Sequence, residues 1–169
     1  MENNRSKFAL VLNALKPMTP IVRIGYQNYK YKQTPFNAAM SYNLANAVDG
    51  DYPDYQLNWG RLMVSRGSLA LPHEAGVRDI GGLVGLSWSL QPGGNSDVAF
   101  VAVLNEEAGE GKLVEEGNAR RIGGMKISIP SEWYGQTLHV YLAFRRGNDV
   151  SDSVYAGPVI VNHENYRSI

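Results

Sequence analysis

Three histidines, His73, His139 and His163, are the whole stock of imidazole in a chain without cysteine. Disulfides, thiolate nucleophiles and zinc–thiolate centres are therefore outside its chemistry. No histidine stands in an HExxH or comparable metal spacing, and no GxSxG elbow offers a serine nucleophile. His139 alternates with apolar positions of a strand and reads as a satisfied structural histidine. His73 follows Leu-Pro in a loop, and His163 lies in a polar tail. "GEGK" lacks the leading glycine and the following Ser or Thr of a phosphate loop, and "GGLVG" lacks dinucleotide-fold spacing. Both read as turns or as strand where backbones approach closely.

Carboxylates offer two further chemistries. Asp49, Asp51 and Asp54 carry oxygen donors suited to calcium. Pro53 stands early in that run and Gly60 occupies the place of the bidentate glutamate, so a solvated turn is the better reading. Glu106, Glu107, Glu115 and Glu116 could flank a glycosidic bond as paired acids. Such a pair needs burial to separate its pKa values, and these residues stand in a weakly patterned hairpin. The expectation is no catalytic residue, no cofactor and no metal, hence a protein that is not an enzyme.

Binding chemistry is better represented. "IGYQNYKYKQTP" places Tyr26, Tyr29 and Tyr31 beside Lys30 and Lys32. Tyrosines interleaved with lysines can stack bases and hold phosphate. The lysines are few, the pI is near 6.8 and no nucleic-acid module is recognisable, which argues against a nucleic acid. Tyrosine also suits half-buried contacts, and Tyr26 and Tyr29 are spaced to share a helix face. Packing is thus the first reading of this stretch, and a protein contact the second. Trp59, Trp133 and Tyr134 could form an aromatic platform for a glycan, although a Trp at a sandwich corner more often plugs the core.

The net charge is zero but unevenly placed. Up to Val48, six basic residues (Arg5, Lys7, Lys16, Arg23, Lys30, Lys32) face one acid, Glu2, a net of +5 that leaves −5 for the remainder. "NEEAGEGKLVEEGN", residues 105–118, is the richest acidic stretch. Such separation favours association, and it makes a second copy of the chain a candidate partner.

The elements that must position these groups divide at about residue 54. Residues 1–54 read as a helical part and residues 55–169 as a β-sandwich, together one integrated unit. Phe8, Val11, Leu12 and Leu15 fall at helical spacing, and Pro17 stops that helix. Thr19-Pro20 and Thr34-Pro35 look like N-caps followed by proline. The first opens a short helix with Ile21 and Ile24 inward, ended by Gly25. The second opens a helix with the stripe Phe36, Met40, Leu44 and Ala47. Downstream come short extended runs: "YQLNW", "RLMVS", "GLVGLSWSL", "DVAFVAVL", the weak edge runs "KLVEE" and "ARRIG", "MKISI", "QTLHVYLAF" and "DSVYAGPVIV". Strands at this spacing, with Gly and Asn turns between them, predict an antiparallel sandwich within an α+β fold. Residues 98–104 are apolar on both faces, unlike a strand with one wet side. Something must cover the outer face, and the N-terminal helices are the available cover. No apolar run approaches the ~20 residues of a membrane span. The polar start "MENNRSKFALVLNALKP" does not read as a signal peptide, and no compartment is assigned.

"SKFALVLNALKPMTPIVRIGYQNY", "DYPDYQLNWGRLMVSRGSL" and "LHVYLAFRRGNDVSDSVYAG" together resemble a family of bacterial proteins of unknown function, mainly from Bacteroidota. The resemblance covers nearly the whole chain and supplies no catalytic motif. It implies the same helical part and sandwich, and a further Gly-rich, basic segment preceding Met1. The last two strands, with Trp88 in "LSWS", are similar to immunoglobulin-like and fibronectin type III sandwiches, an analogy of fold alone. The function expected is that of a non-enzymatic structural or protein-interaction protein, with a carbohydrate-binding module as the alternative. The candidate interaction surface is Tyr26, Tyr29, Lys30, Tyr31 and Lys32 with Glu106, Glu107, Glu115 and Glu116.

Overall fold

The computed structural model describes residues 2–29 and 32–162, so that Lys30, Tyr31 and His163 fall outside the described part. Three helices lead: α1 (Glu2–Leu15), α2 (Thr19–Gly25) and α3 (Pro35–Asn46). Pro17 does not simply end α1. It sits at the start of a 3-10 turn over Lys16–Met18, where a missing N–H costs little. Thr19 is the first residue of α2 rather than its cap, and its hydroxyl donates to the Lys16 carbonyl at 2.7 Å. Thr34 is the cap its sequence suggests, accepting from the Asn37 N–H at 3.1 Å. Two apolar stripes differ from expectation. Phe8 is 47% exposed, and α3 buries Ala38, Ala39, Met40 and Asn43 while Phe36 and Leu44 are only partly covered.

A small hairpin, β1 (Val48–Asp49) with β2 (Gln56–Leu57), follows the helices. Two antiparallel sheets then form the sandwich. The smaller has the order β3 (Gly76–Ile80), β4 (Leu83–Ser87), β7 (Gly124–Ile127). The larger has the order β10 (Val154–Ile160), β8 (Thr137–Arg146), β5 (Val98–Asn105), β6 (Glu110–Val114), with β9 (Asp149–Val150) also on β8.

β5 and β8 lie at the centre of the larger sheet and separate two cores. Ala99, Val101 and Val103, with Leu138, Val140, Leu142 and Phe144, face Val84, Leu86, Trp88 and Ile127 of the smaller sheet. Phe100, Ala102 and Leu104, with Tyr141 and Ala143, face Val11, Leu15, Met18, Ile21, Val22 and Met40 of the helical part. The strand that is apolar on both faces is therefore covered on both, and the helices are its outer cover. Burying apolar area on each face is what holds the layers together, at about 25 cal/mol per Å².

Two expected strands are not strands. In residues 61–65 the alternation is present, with Leu62 and Val64 buried and Met63 half-buried. Their backbone pairs with side chains instead of a ladder: Met63 N–H donates to Asn43 Oδ1 at 2.9 Å and Val64 N–H to Ser153 Oγ at 3.0 Å. Gly25 lets this segment close on α2, since a Cβ there would stand 2.2 Å from the Val64 carbonyl oxygen. "ARRIG" is a 3-10 turn over Arg120–Ile122 ending at Gly123 with φ 81°. The edge strand read from "KLVEE" is β6, which begins two residues earlier, at Glu110.

Candidate functional site

A groove of about 460 Å³ opens between the C-terminal half of α1, residues 55–59 and the turn after β5. Leu10, Ala14, Leu57 and Leu104 give it apolar walls, and Asn13, Gln56 and Glu106 bring polar groups. Among the described residues Glu106 is the only charged one in its lining. The turn that carries Glu106 is fixed by Asn105, whose Oδ1 accepts from Ala108 N–H at 3.0 Å while its carbonyl accepts from Gly109 N–H at 3.0 Å. Gly109 takes φ 65° there, a backbone conformation that L side chains rarely adopt.

Behind the groove stands an aromatic and imidazole stack. The Trp59 indole lies flat on the His139 ring, 4.1 Å between centroids and 6° between planes. The Nε2 of His139 is 3.3 Å from Glu106 Oε2, and its Nδ1 is 2.7 Å from the Tyr155 hydroxyl. A carboxylate only accepts, so Nε2 carries the proton and Nδ1 accepts from Tyr155. Tyr155 lies opposite Tyr141 in the β10–β8 ladder, next to a register shift at Tyr155/Gly157. The two rings are 5.2 Å apart, as cross-strand neighbours on one face should be. Tyr141 closes the set by donating to the Trp59 carbonyl at 2.8 Å.

Electrostatics follow from burial. Loss of solvent lowers the His139 pKa below its usual value, partly opposed by the hydrogen bond and charge of Glu106. Burial pushes Tyr155 up to about 12, helped by the Glu106 charge. It also raises Tyr141, with smaller contributions from Tyr155 and Glu106. Held at both nitrogens, the His139 ring supports the Trp59 indole stacked on it.

The other sequence candidates are dispersed. Trp133 is only 3% exposed and packs in the sandwich core with Val84 and Leu138, so it offers no ring to a glycan. Tyr134 is half-buried against the same core, on the opposite side of the larger sheet from Trp59. Tyr26 is a core residue whose hydroxyl donates to the Met63 carbonyl at 2.9 Å, and burial raises its pKa. Tyr29 lies at the surface, 5.8 Å from Tyr26, with the Arg66 guanidinium over its ring. Lys32, Glu107, Glu115 and Glu116 are exposed. Asp49 pairs with Arg61 and accepts from Asn58, so its carboxylate is engaged within the β1–β2 region. Among the described residues no three or more metal-ligating side chains are gathered, and no helix is long and apolar enough to cross a membrane.

One cluster has no counterpart in the sequence reading. Asp97, 1% exposed, accepts from Arg120 Nη2 at 3.2 Å and from Arg146 Nε at 2.7 Å. Arg120, 2% exposed, also donates to the Ala70 carbonyl and lies 3.9 Å from the Phe144 ring centroid. Its own carbonyl accepts from the Trp88 indole at 2.7 Å. These bonds clasp the 3-10 turn to the end of the sandwich. Nothing in "ARRIG" marks which arginine turns inward.

Residues 2–157 match a family described as Family of unknown function (DUF6266). No curated protein matches the chain.

Proposed function

The chain belongs to this family of unknown function, and from that premise we propose that it works by binding, as a structural or protein-interaction protein, and not by catalysis. The observation that carries this reading is the groove beside the β5–β6 hairpin. Glu106, the one charged residue of its lining among the described residues, is held by a histidine that is itself fixed at both nitrogens, and a preorganised carboxylate suits recognition. The partner we propose presents a basic surface. Glu107, Glu110, Glu115 and Glu116 are exposed, and among the described residues none of them forms an ion pair. Lys16, Arg23 and Lys32 are exposed on the leading third of the same chain, which makes a second copy the first partner to test. The strand orders β3-β4-β7 and β10-β8-β5-β6 support an immunoglobulin-like or fibronectin-like arrangement for the sandwich, and the resemblance described above supports a bacterial origin.

Light scattering at about 0.01 M and about 1 M salt tests the second copy, because the screening length falls from about 30 Å to about 3 Å between them. The expected result is association at low salt that disappears at high salt and in a Glu107→Lys/Glu110→Lys variant. A protein that is monomeric at every salt and concentration would remove the second copy as partner. The carbohydrate-binding alternative loses Trp133 to the core and keeps the half-buried Trp59 at the groove.

A further inference from the structure

We propose that the groove between α1 and the β5–β6 hairpin is a receptor for a single cationic side chain, the arginine guanidinium of a basic peptide segment, held against Trp59 and Glu106. This rests on the protein-interaction reading above and names the chemistry of its partner. Three observations carry it. Among the described residues the lining holds one charged group, the Glu106 carboxylate, and the nearby Lys7 ammonium is turned onto the ring of the lining residue Tyr55, 4.8 Å from its centroid. That carboxylate is 52% exposed and uses only Oε2 on His139 among the described residues, so Oε1 is available as an acceptor. Trp59 is half-buried and lines the same groove, and the stack on His139 fixes its ring there.

A planar cation answers all three at once. It can lie along an aromatic surface, where the ring quadrupole attracts positive charge, while donating a charge-assisted hydrogen bond to the carboxylate. The exposed side-chain amides of Asn13 and Gln56 line the groove and can take the peptide backbone on either side. The C-terminal half of α1 forms one wall, and the partial negative charge of a helix C-terminus favours a cation nearby. A neutral sugar would use the indole and the amides but gain nothing from the charge, so charge complementarity selects the cation. Preorganisation matters as well. The indole is held by a stacked imidazole that is itself bonded at both ends, so little freedom remains to be lost on binding.

The test is a titration of the whole chain, labelled with ¹⁵N, with an acetylated and amidated Ala-Arg-Ala peptide. The readout is the indole N–H signal of Trp59, assigned by its loss in Trp59→Phe. The expected result is a saturable shift of that signal and not of the Trp88 or Trp133 signals. The same peptide with citrulline in place of arginine should bind at least about tenfold more weakly, as should wild-type peptide with Glu106→Gln, because a hydrogen bond to a charged group is lost. Asn13→Lys, an exposed helical substitution, should also weaken binding by supplying a competing cation, without touching the stack. Equal binding of the arginine and citrulline peptides overturns the proposal, as does an unmoved Trp59 signal. A shift with a neutral oligosaccharide and none with the arginine peptide overturns it in favour of a glycan. In each of those cases salt-dependent self-association, read separately by light scattering, still stands or falls alone.

Discussion

On the sandwich side of β8 stand Leu138, Val140, Leu142 and Phe144; on the helical side of the same strand stand His139, Tyr141 and Ala143. Both sides are buried, yet only one carries hydroxyl and imidazole groups. The difference follows from what each side packs against. The opposing sheet has strands whose backbone groups are paired with one another, so it asks of its neighbour only apolar volume. The helical side also meets residues 58–66, which turn at 59–61 and then run on without a strand partner. Their backbone groups must be satisfied one by one. Tyr141 serves the Trp59 carbonyl, Tyr26 and Asn43 serve the Met63 carbonyl, and Asn43 Oδ1 accepts the Met63 N–H. The lesson is that irregular backbone in a core recruits polar-tipped side chains, and the groove beside it inherits them.

The sharpest way to break this comparison is to ask whether the two sides unfold together. Leu142→Ala on the sandwich side and Leu104→Ala on the helical side each remove a nearly fully buried side chain. Each should cost about 2–5 kcal/mol. Urea unfolding followed by tryptophan fluorescence and by far-ultraviolet dichroism should give one coincident transition for both variants, because β5 and β8 belong to both cores. If Leu104→Ala melts the helices in a separate step and leaves the sandwich transition in place, the helical side is an independent layer.

A smaller effect is expected where only hydrogen bonds are lost. Asn43 is fully buried, and its amide holds both the Ala39 and Met63 carbonyls. Asn43→Ala should cost about 1–3 kcal/mol, since buried partners are left unsatisfied. The effect should also be local. Amide exchange should accelerate at Met63 and Val64, while β3, β4 and β7 keep their protection. Uniform acceleration across both sheets would show that the segment 58–66 is not the locally supported element described here.

The same contrast explains how much the sequence discloses. Alternation in residues 136–144 and 82–90 reports the sandwich directly, because packing between sheets depends on which residues are apolar and at what period. The two-sided apolar run at 98–104 reports the need for a cover, and the charge and helical spacing of the leading third name it. What fails to show is where individual polar groups turn inward. "RLMVS" alternates as a strand would, because alternation reports an extended, half-buried backbone and not what its N–H groups bond to. The partners turn out to be Asn43 and Ser153, remote in sequence. The inward turn of Arg120 depends on Asp97 and Phe144, which meet it only in the folded chain. For the groove, Trp59 and Glu106 are each legible as binding chemistry, but Trp59 is read beside Trp133 and Tyr134. His139, the residue that couples it to Glu106, is legible only as a core histidine. Convergence of residues from four segments is a property of topology, and a period along the chain does not carry it.

The smallest expected effect concerns protons, and it too separates the two sides. The β5 and β8 residues within the sandwich core are apolar, with Asp97, Arg120 and Arg146 confined to its end, whereas the helical side holds His139 with Glu106, Tyr141 and Tyr155 around it. Burial lowers the His139 pKa in the folded protein, so between the folded value and about 6.5 the unfolded chain binds more protons. Stability from this site is therefore full above the unfolded value and falls as the pH drops through the folded one. Unfolding free energies from urea at about pH 7 and about pH 5, compared between wild type and His139→Gln, isolate this contribution from that of the surface carboxylates. Wild type should lose more stability on acidification than the variant. The opposite sign, with wild type gaining relative to His139→Gln at the lower pH, would mean that attraction to Glu106 outweighs desolvation. His139 would then be a charged partner of the groove carboxylate and not the neutral support of Trp59, and the net charge that a cationic side chain meets in the groove would be close to zero.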